Sequence, residues 1–405
     1  MGKINRRGFL TIAGAAPLGL PLLKHAQDSA ASSAIHDDTY GPWLEIRMDH
    51  IGWNLSQIRE WVRPTPVMAV IKANAYGHGL VEVARFLEKQ HVRFLAVGKV
   101  EEALRVRDGG VKTPILNFGP FSQGEAKQIV QSNVSQSVFD DGAWMLAETA
   151  EKFDRKAKIH IKVDTGLGRV GIPYGEALDF IEMAASKNHL IIEGIFTTFT
   201  EEPEFDAVQL KRFLDVCDAA RKRGIQVGLK HAASSAAILS FPAARLDIIR
   251  PGITLYGHYP SDEEYRRRRI DLKPAMTMKT RVALVKNLRS GDSVSYHRVF
   301  KAEKEIRVAT LPIGYSDGYP PQTGDKGEVL IGGKRRRAVA PVTSNHLVSE
   351  VTGTKDIKVG DEAVIVGKQG TSEITAEEVA EWAGMSVYKV VIGMNPLLPR
   401  KYMVG

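Results

Sequence analysis

Lys72 closes an apolar run at residues 66–71 (PVMAVI) and opens the stretch Lys72-Ala73-Asn74-Ala75-Tyr76-Gly77-His78-Gly79. A lysine at the edge of an apolar strand loses hydration, which lowers its pKa and leaves a nucleophilic amine. Three other groups have the same placement. Residues 157–163, with Lys162 inside, run into Asp164-Thr165-Gly166-Leu167-Gly168-Arg169. Residues 226–230 run into His231 and Ser234-Ser235, and residues 246–249 into Arg250-Pro251-Gly252-Ile253. Serine hydroxyls beside backbone amides at Gly252 and Ile253 suit a phosphate monoester. An imine-forming lysine on the same rim as such a cup points to pyridoxal phosphate. Each piece alone is a common turn feature, and it is the shared placement that speaks.

For these residues to meet, the apolar runs must be strands that end on one rim. Strand-length runs occur at 66–71, 93–98, 114–118, 135–139, 157–163, 191–197, 226–230 and 246–249. Helical periodicity fills the intervals, for example at 81–89, 101–107, 124–131, 175–186 and 206–223. Eight strand–helix units predict an α/β fold with a closed (β/α)8 TIM-type barrel, whose working residues lie at the C-terminal strand ends. One strand and one helix, in WLEIRMDHIGWNLSQIREWV, precede it. From 275 onward short strands alternate with turns such as Gly291-Asp292, Gly332-Gly333 and Gly360-Asp361, interrupted by one short helix at 375–383. This reads as an all-β domain. The expected division is a leader at 1–34, a barrel domain at 35–261 and a C-terminal β domain at 262–405.

Composition agrees with a globular enzyme. The 405 residues are 43% hydrophobic, 25% charged and 7% aromatic, away from disordered or fibrous extremes. The single cysteine, Cys217, excludes a disulfide scaffold and a cysteine-built metal cluster, and reads as a packed apolar residue. His78, His231 and His258 are not paired by spacing with carboxylates, so no metal is expected. Part of the net charge of +8 sits in two runs, Arg266–Arg269 and Lys334–Arg337. Neither is interleaved with aromatics, so both read as solvated loop faces rather than a nucleic-acid surface.

The N-terminus has its own logic. Arg6-Arg7-Gly8-Phe9-Leu10 precedes a mildly apolar run from Ile12 to Leu23 and a Ser/Ala-rich stretch ending at Ala34. A charged start, a short apolar core and a small-residue end predict a cleaved export signal of the twin-arginine type. Asn5 stands where that signal usually has Ser or Thr. The mature protein is then expected in the periplasm or another extracytoplasmic space, without stable membrane association.

Four motifs resemble the alanine racemase family: AVIKANAYGHG at 69–79, KVDTGLGRVGI at 162–172, RPGITLYG at 250–257 and LPIGYSDGYP at 311–320. The resemblance spans nearly the whole mature chain. It implies a pyridoxal 5'-phosphate-dependent isomerase acting on an amino-acid substrate, built as a head-to-tail homodimer with shared sites. Lys72 matches the lysine that carries the cofactor. Tyr296 in GDSVSY matches the tyrosine supplied by the other subunit, and Tyr315 follows it by nineteen residues, as in the family. Lys72 and Tyr296 would serve opposite faces of the α-carbon, as inversion requires. Arg250 matches the arginine on the pyridine nitrogen, with His231 expected to support it. A donor-only arginine keeps that nitrogen unprotonated and weakens the electron sink, which disfavours transamination. Tyr76, Ser235, Gly252, Ile253 and Tyr388 match phosphate ligands. Arg169 matches the residue contacting cofactor and substrate carboxylate, and Lys162 a lysine carbamylated in several relatives. Tyr315 and Tyr388 match residues that narrow the substrate entrance.

Two departures stand out. Thr198 replaces a histidine that the family places near the cofactor ring. Thr343-Ser344-Asn345 replaces a Ser/Cys-Met-Asp segment, in which the Ser344 amide would still meet the substrate carboxylate. The expected function is therefore L/D-alanine racemisation with a range open to other amino acids. A catalytically silent cofactor-binding homologue and a decarboxylase of the same fold remain as alternatives.

Overall fold

The computed structural model describes residues 40–404. The predicted export signal and its cleavage region lie outside the described residues. Parallel strands Met68–Val70, Phe94–Val97, Ile115–Asn117, Ser135–Val138, Ala157–Asp164, Leu190–Phe196 and Leu229–His231 pair in that order. The barrel closes through the eighth position, where Ile249 bridges Val67 and Arg250 bridges Ser234, both in parallel. The Met68 amide donates to the Ile249 carbonyl at 2.8 Å and the Val70 amide to Pro251 at 3.0 Å. The eighth run is thus no full strand. Leu246 is left-handed with φ 43°, and Pro251 has no N–H to give, so the pairing stretch is cut at both ends.

Helices Leu80–Lys89, Val100–Asp108, Gln123–Gln131, Gly142–Lys152, Ala177–Ala185 and Pro203–Lys222 surround the strands. Their apolar stripes pack on them: Leu80, Val83, Ala84 and Leu87 are buried in the first, and Leu210, Phe213, Val216, Cys217 and Ala220 in the last. Burial pushes the Cys217 thiol up to about 12, so it stays a thiol.

The strand Trp43–Arg47, which comes before the barrel in sequence, pairs instead with the C-terminal part. It lies antiparallel to Met276–Arg281 and parallel to Arg400–Met403. Its sheet continues through Glu362–Gln369 and Glu328–Ile331 to the edge strand Lys334–Arg337. A second sheet joins Leu284–Leu288, Ile306–Leu311 and Leu347–Glu350, and a small hairpin joins Ser293–Val294 to Phe300–Lys301.

Two expectations need correction here. Lys334–Arg337 is an edge strand rather than a loop, with Arg335 paired to Glu328 and Glu378; charged side chains on an edge discourage further pairing. Arg266 and Arg267 end the helix Asp262–Arg267 rather than lying in a loop. The helix expected at 375–383 is found as Ala376–Ala383, capped reciprocally by Thr375 and Glu378. It is followed by a second helix, Val387–Ile392. Among the described residues no helix is long and apolar enough to cross a membrane.

Candidate active site

The first strand delivers Lys72 to the C-terminal rim, and the backbone then does something local propensity disfavours. Ala73, Asn74, Ala75 and Tyr76 take φ values of 54, 56, 54 and 52°. Left-handed backbone costs L-residues about 1–2 kcal/mol each, so other contacts must hold this turn. Glu102, on helix Val100–Asp108, accepts from the Asn74 amide at 3.1 Å and the Gly98 amide at 2.9 Å. The Asn74 side-chain oxygen accepts from the Leu80 amide at 2.9 Å. The turn ends at Gly77, φ 83°, where a Cβ would meet the Val391 carbonyl oxygen at 2.2 Å. Helix Val387–Ile392 therefore packs directly on the lysine turn and brings Tyr388 with it.

Tyr76 is buried and stacks on Tyr256 with ring centroids 5.0 Å apart; the Tyr388 ring lies 6.3 Å from it, tilted by 49°. Burial raises the pKa of both Tyr76 and Tyr388, so both hydroxyls remain protonated donors. The seventh strand ends in His231, and Ser235 opens the short helix Ser235–Ser240. The Ser235 hydroxyl accepts from the Gly252 amide at 3.0 Å and lies 3.1 Å from the Thr254 hydroxyl. A Cβ on Gly252 would fall 2.4 Å from the Tyr76 hydroxyl. The cup is thus Tyr76, Ser235, Gly252 and Ile253, with Tyr388 at its side, and it has no room for a side chain at 252.

Arg250, 6% exposed, donates to the Thr197 carbonyl at 2.8 Å, the Ala232 carbonyl at 2.9 Å and Nδ1 of His231 at 2.9 Å. Burial lowers its pKa to about 9, which leaves it charged at neutral pH. Lys162 is buried on the fifth strand; its ammonium donates to the Thr198 hydroxyl at 3.1 Å and sits 4.9 Å from the Phe196 ring centre. Burial, then the charges of Arg250 and Arg169, lower its pKa to about 7. Lys72 is lowered too, by the loss of solvent around it and by Arg169 and Arg250. Arg169 is exposed at the mouth, on a loop shaped by Asp164, which accepts from the Gly166 amide at 2.9 Å.

The structure therefore gathers Lys72, Tyr76, Arg169, His231, Ser235, Arg250, Gly252, Ile253 and Tyr388 around one barrel mouth. The residues present fit a phosphorylated pyridine aldehyde. The hydroxyls of Tyr76 and Ser235 converge on Gly252, where no side chain would fit, and the mouth holds an amine, a buried donor-only guanidinium and further cations.

The other three candidates lie elsewhere. Tyr296 stands at the tip of the hairpin 293–301, 79% exposed, after Ser295 at φ 69°. It borders a cavity of about 410 Å³ lined only by C-terminal residues, among them Thr343, Ala340 and His346. Tyr315 and Ser344 meet each other: the Tyr315 amide donates to the Thr343 carbonyl at 3.1 Å, and the Ser316 amide to that of Ser344 at 3.0 Å. Asn345 is turned onto the Ser316 hydroxyl at 2.8 Å. Within one chain, then, Tyr296 and the Tyr315/Ser344 pair face outward on the β domain.

Sequence reasoning did not find Glu102, whose link to Lys72 is visible only in space, nor His160 and Glu193 behind His231. His78 donates from Nδ1 to the Tyr76 carbonyl at 2.8 Å, and His258 pairs with Glu377 at 2.7 Å. Among the described residues no group of three or more His, Cys, Asp or Glu side chains is placed to hold a metal ion.

Comparison with known proteins agrees with this geometry. Sequence models of the alanine racemase N-terminal and C-terminal domains match residues 46–260 and 275–402. The chain is 41% identical over 368 residues to an alanine racemase of Desulforamulus reducens, covering 89% of this chain and 98% of that one. It is 36% identical to an alanine racemase of Clostridium tetani, covering 89% and 95%. The crystal structure of alanine racemase from a D-cycloserine-producing Streptomyces lavendulae superposes with a TM-score of 0.86 at 32% identity, covering 91% of this chain and 98% of that one. Both domains match in order, and the chain belongs to the alanine racemase family.

Proposed function

We propose that the protein is a pyridoxal-phosphate-dependent amino-acid racemase, an isomerase that interconverts L- and D-alanine and accepts some larger side chains. The observation that carries the reaction type is Arg250: a buried, charged, donor-only group at the barrel mouth, which would hold the cofactor's ring nitrogen and keep it unprotonated. When bound, the cofactor supplies an electron sink that acidifies the substrate α-C–H. Lys72 is held by the cofactor-facing turn and, with its lowered pKa, exchanges a proton with one face of the α-carbon. Tyr296 of the partner subunit serves the other face. Arg169 and the Ser344 amide hold the substrate carboxylate, while Tyr315 and Tyr388 bound the space for its side chain.

The dimer reading is supported by Tyr296 and Tyr315, which stand exposed on the β domain, and by the cavity beside Tyr296, which no barrel residue lines. A head-to-tail pair brings each set to the other subunit's Lys72. The wider range is supported by Ser344 and Asn345, since the serine is small and the asparagine is drawn to Ser316. Export by the twin-arginine route to the periplasm or another extracytoplasmic space is supported by Arg6-Arg7 and the apolar run after them. That route carries folded proteins, so the cofactor would be inserted before transit.

The test is α-hydrogen exchange in D₂O on the mature protein, read by NMR and chiral chromatography over a panel of L-amino acids. Exchange with inversion is expected for alanine and, more weakly, for serine and methionine. No exchange from protein that holds the cofactor would overturn the racemase reading and favour a silent binding protein.

A further inference from the structure

We propose that Glu193, on the sixth barrel strand and remote from the mouth, is a positioning residue that sets the orientation of Arg250 through His160 and His231. Its functional consequence rests on the racemase reading; its geometry does not.

Arg250 Nη1 lies 2.9 Å from Nδ1 of His231. Nε2 of His231 lies 2.8 Å from Nδ1 of His160, and Nε2 of His160 lies 3.2 Å from a Glu193 carboxylate oxygen. The Ser135 hydroxyl donates to that same oxygen, and Lys158 stands 3.5 Å from the other. Both imidazoles are fully buried, whereas the Glu193 side chain is 19% exposed. The relay thus crosses the barrel interior from the mouth to a carboxylate in contact with solvent.

Its direction is decided by its two ends. A guanidinium can only donate and an ionised carboxylate can only accept. Burial would raise the Glu193 pKa, but the bonds from His160 and Ser135 and the Lys158 charge bring it down to about 2, so it is ionised. Hence His231 accepts on Nδ1 and carries its hydrogen on Nε2, and His160 does the same. Burial and the nearby charge of Arg250 lower the pKa of both rings, which keeps them neutral.

Rotation offers no escape. Phe196 stacks on His231 at 4.8 Å with planes 5° apart, and Phe94 meets His160 edge-on at 5.9 Å. Only a change of tautomer is left, and it would set two hydrogens, or two lone pairs, against each other at a buried position. Without Glu193 the His160 Nε2–H loses its acceptor, and the tautomer with hydrogen on Nδ1 competes with the one that Arg250 favours. His231 is then driven to present N–H to Arg250, and the guanidinium turns away from its place. Its bonds to Thr197 and Ala232 both leave from Nη2, so at the Nη1 edge His231 is the partner.

The experiment uses cofactor-loaded protein labelled with ¹⁵N at histidine, with His160 and His231 assigned by their loss in His160→Gln and His231→Gln. The ¹⁵N spectra are expected to show both rings neutral, with unprotonated Nδ1 and protonated Nε2. Glu193→Gln, which still offers an accepting oxygen, should keep this pattern. Glu193→Leu should mix the tautomers of both rings and shift the visible absorbance of the bound cofactor. It should also lower kcat about 10- to 100-fold, as misplacement of a distant orienting group does, with little change in KM. An Nδ1–H or a doubly protonated ring in wild type would overturn the proposal, and this reading does not depend on the folding of Glu193→Leu. Unchanged tautomers and absorbance in folded Glu193→Leu would overturn it as well. The expected tautomers in a wild type that does not racemise, with the absorbance shift in Glu193→Leu, would support the relay and reject only the racemase reading.

Discussion

The ammonium of Lys162 donates to the hydroxyl of Thr198 at 3.1 Å, so a neutral side chain stands beside the buried amine. Among the described residues no carboxylate is bonded to that amine; Arg250, Arg169 and Lys72 add like charge, which Asp164 partly offsets. A threonine next to it avoids adding one more cation.

That arrangement has a measurable pH signature. The Lys162 pKa falls from 10.5 to about 7 on folding. Below 7 both the folded and unfolded chains carry the proton, and folding bears the full cost of the buried charge. Above 7 the folded chain releases it first, so this group makes stability rise with pH until the unfolded pKa is passed. Lys162→Met is expected to flatten the urea midpoint of cofactor-free protein between 7 and 10.5, measured in CO2-free buffer. An equal slope in both proteins would reject the assignment.

With a pKa of about 7, part of Lys162 is neutral at pH 7, and the neutral amine is a nucleophile for CO2. Added bicarbonate should raise activity in wild type and leave Lys162→Ala unresponsive, while native mass spectrometry should detect the bound CO2 in the former alone. Equal responses would remove Lys162 from this role.

Tyr296 is expected to matter for one face only. Tyr296→Phe should retain the cofactor's absorbance and the exchange of one enantiomer's α-hydrogen, while inversion falls about 10²- to 10⁴-fold, the range of a lost general acid–base. Chiral chromatography beside NMR exchange separates the two. If inversion is unaffected, the tyrosine is not the second base.

At the phosphate cup, Gly252→Ala puts a methyl 2.4 Å from the Tyr76 hydroxyl. Overpacking of this kind costs about 1–3 kcal/mol, and cofactor affinity should fall with it. Tyr76→Phe in the same protein removes the clashing oxygen and should restore part of the stability but not of the affinity. Calorimetric Tm and fluorescence titration read the two quantities apart.

Glu102 is expected to hold the left-handed turn after Lys72. Glu102→Ala leaves the Asn74 and Gly98 amides without their acceptor, at about 1–3 kcal/mol for each group left buried and unpaired. Cofactor binding should weaken more than Tm falls, because the turn that aims Lys72 relaxes first. Unaltered binding would mean that the turn is held by the helix Val387–Ile392 at Gly77 instead.

Much of this protein is legible along the chain. Runs such as 66–71 and 157–163 announce barrel strands because a strand buried on both faces must be apolar throughout. The residues ending those runs identify the rim, and the short motifs around Lys72, Arg169, Arg250 and Tyr315 identify the family. Turn residues near 291 and 332 announce the β domain. What the chain could not announce is partnership between residues far apart in it. The burial pattern of Trp43–Arg47 says that it is a strand, but not that it pairs with Met276–Arg281 rather than with the barrel. The Ala73–Tyr76 stretch looks like ordinary chain, and its left-handed course exists only because Glu102 and Val391 are in place to hold it. Glu193, His160 and His231 occur on three separate strands, and their shared hydrogen bonds arise when the barrel closes. Periodicity reports which face of an element is buried; what lies against that face is decided by packing, and at this site packing determines which way each proton points.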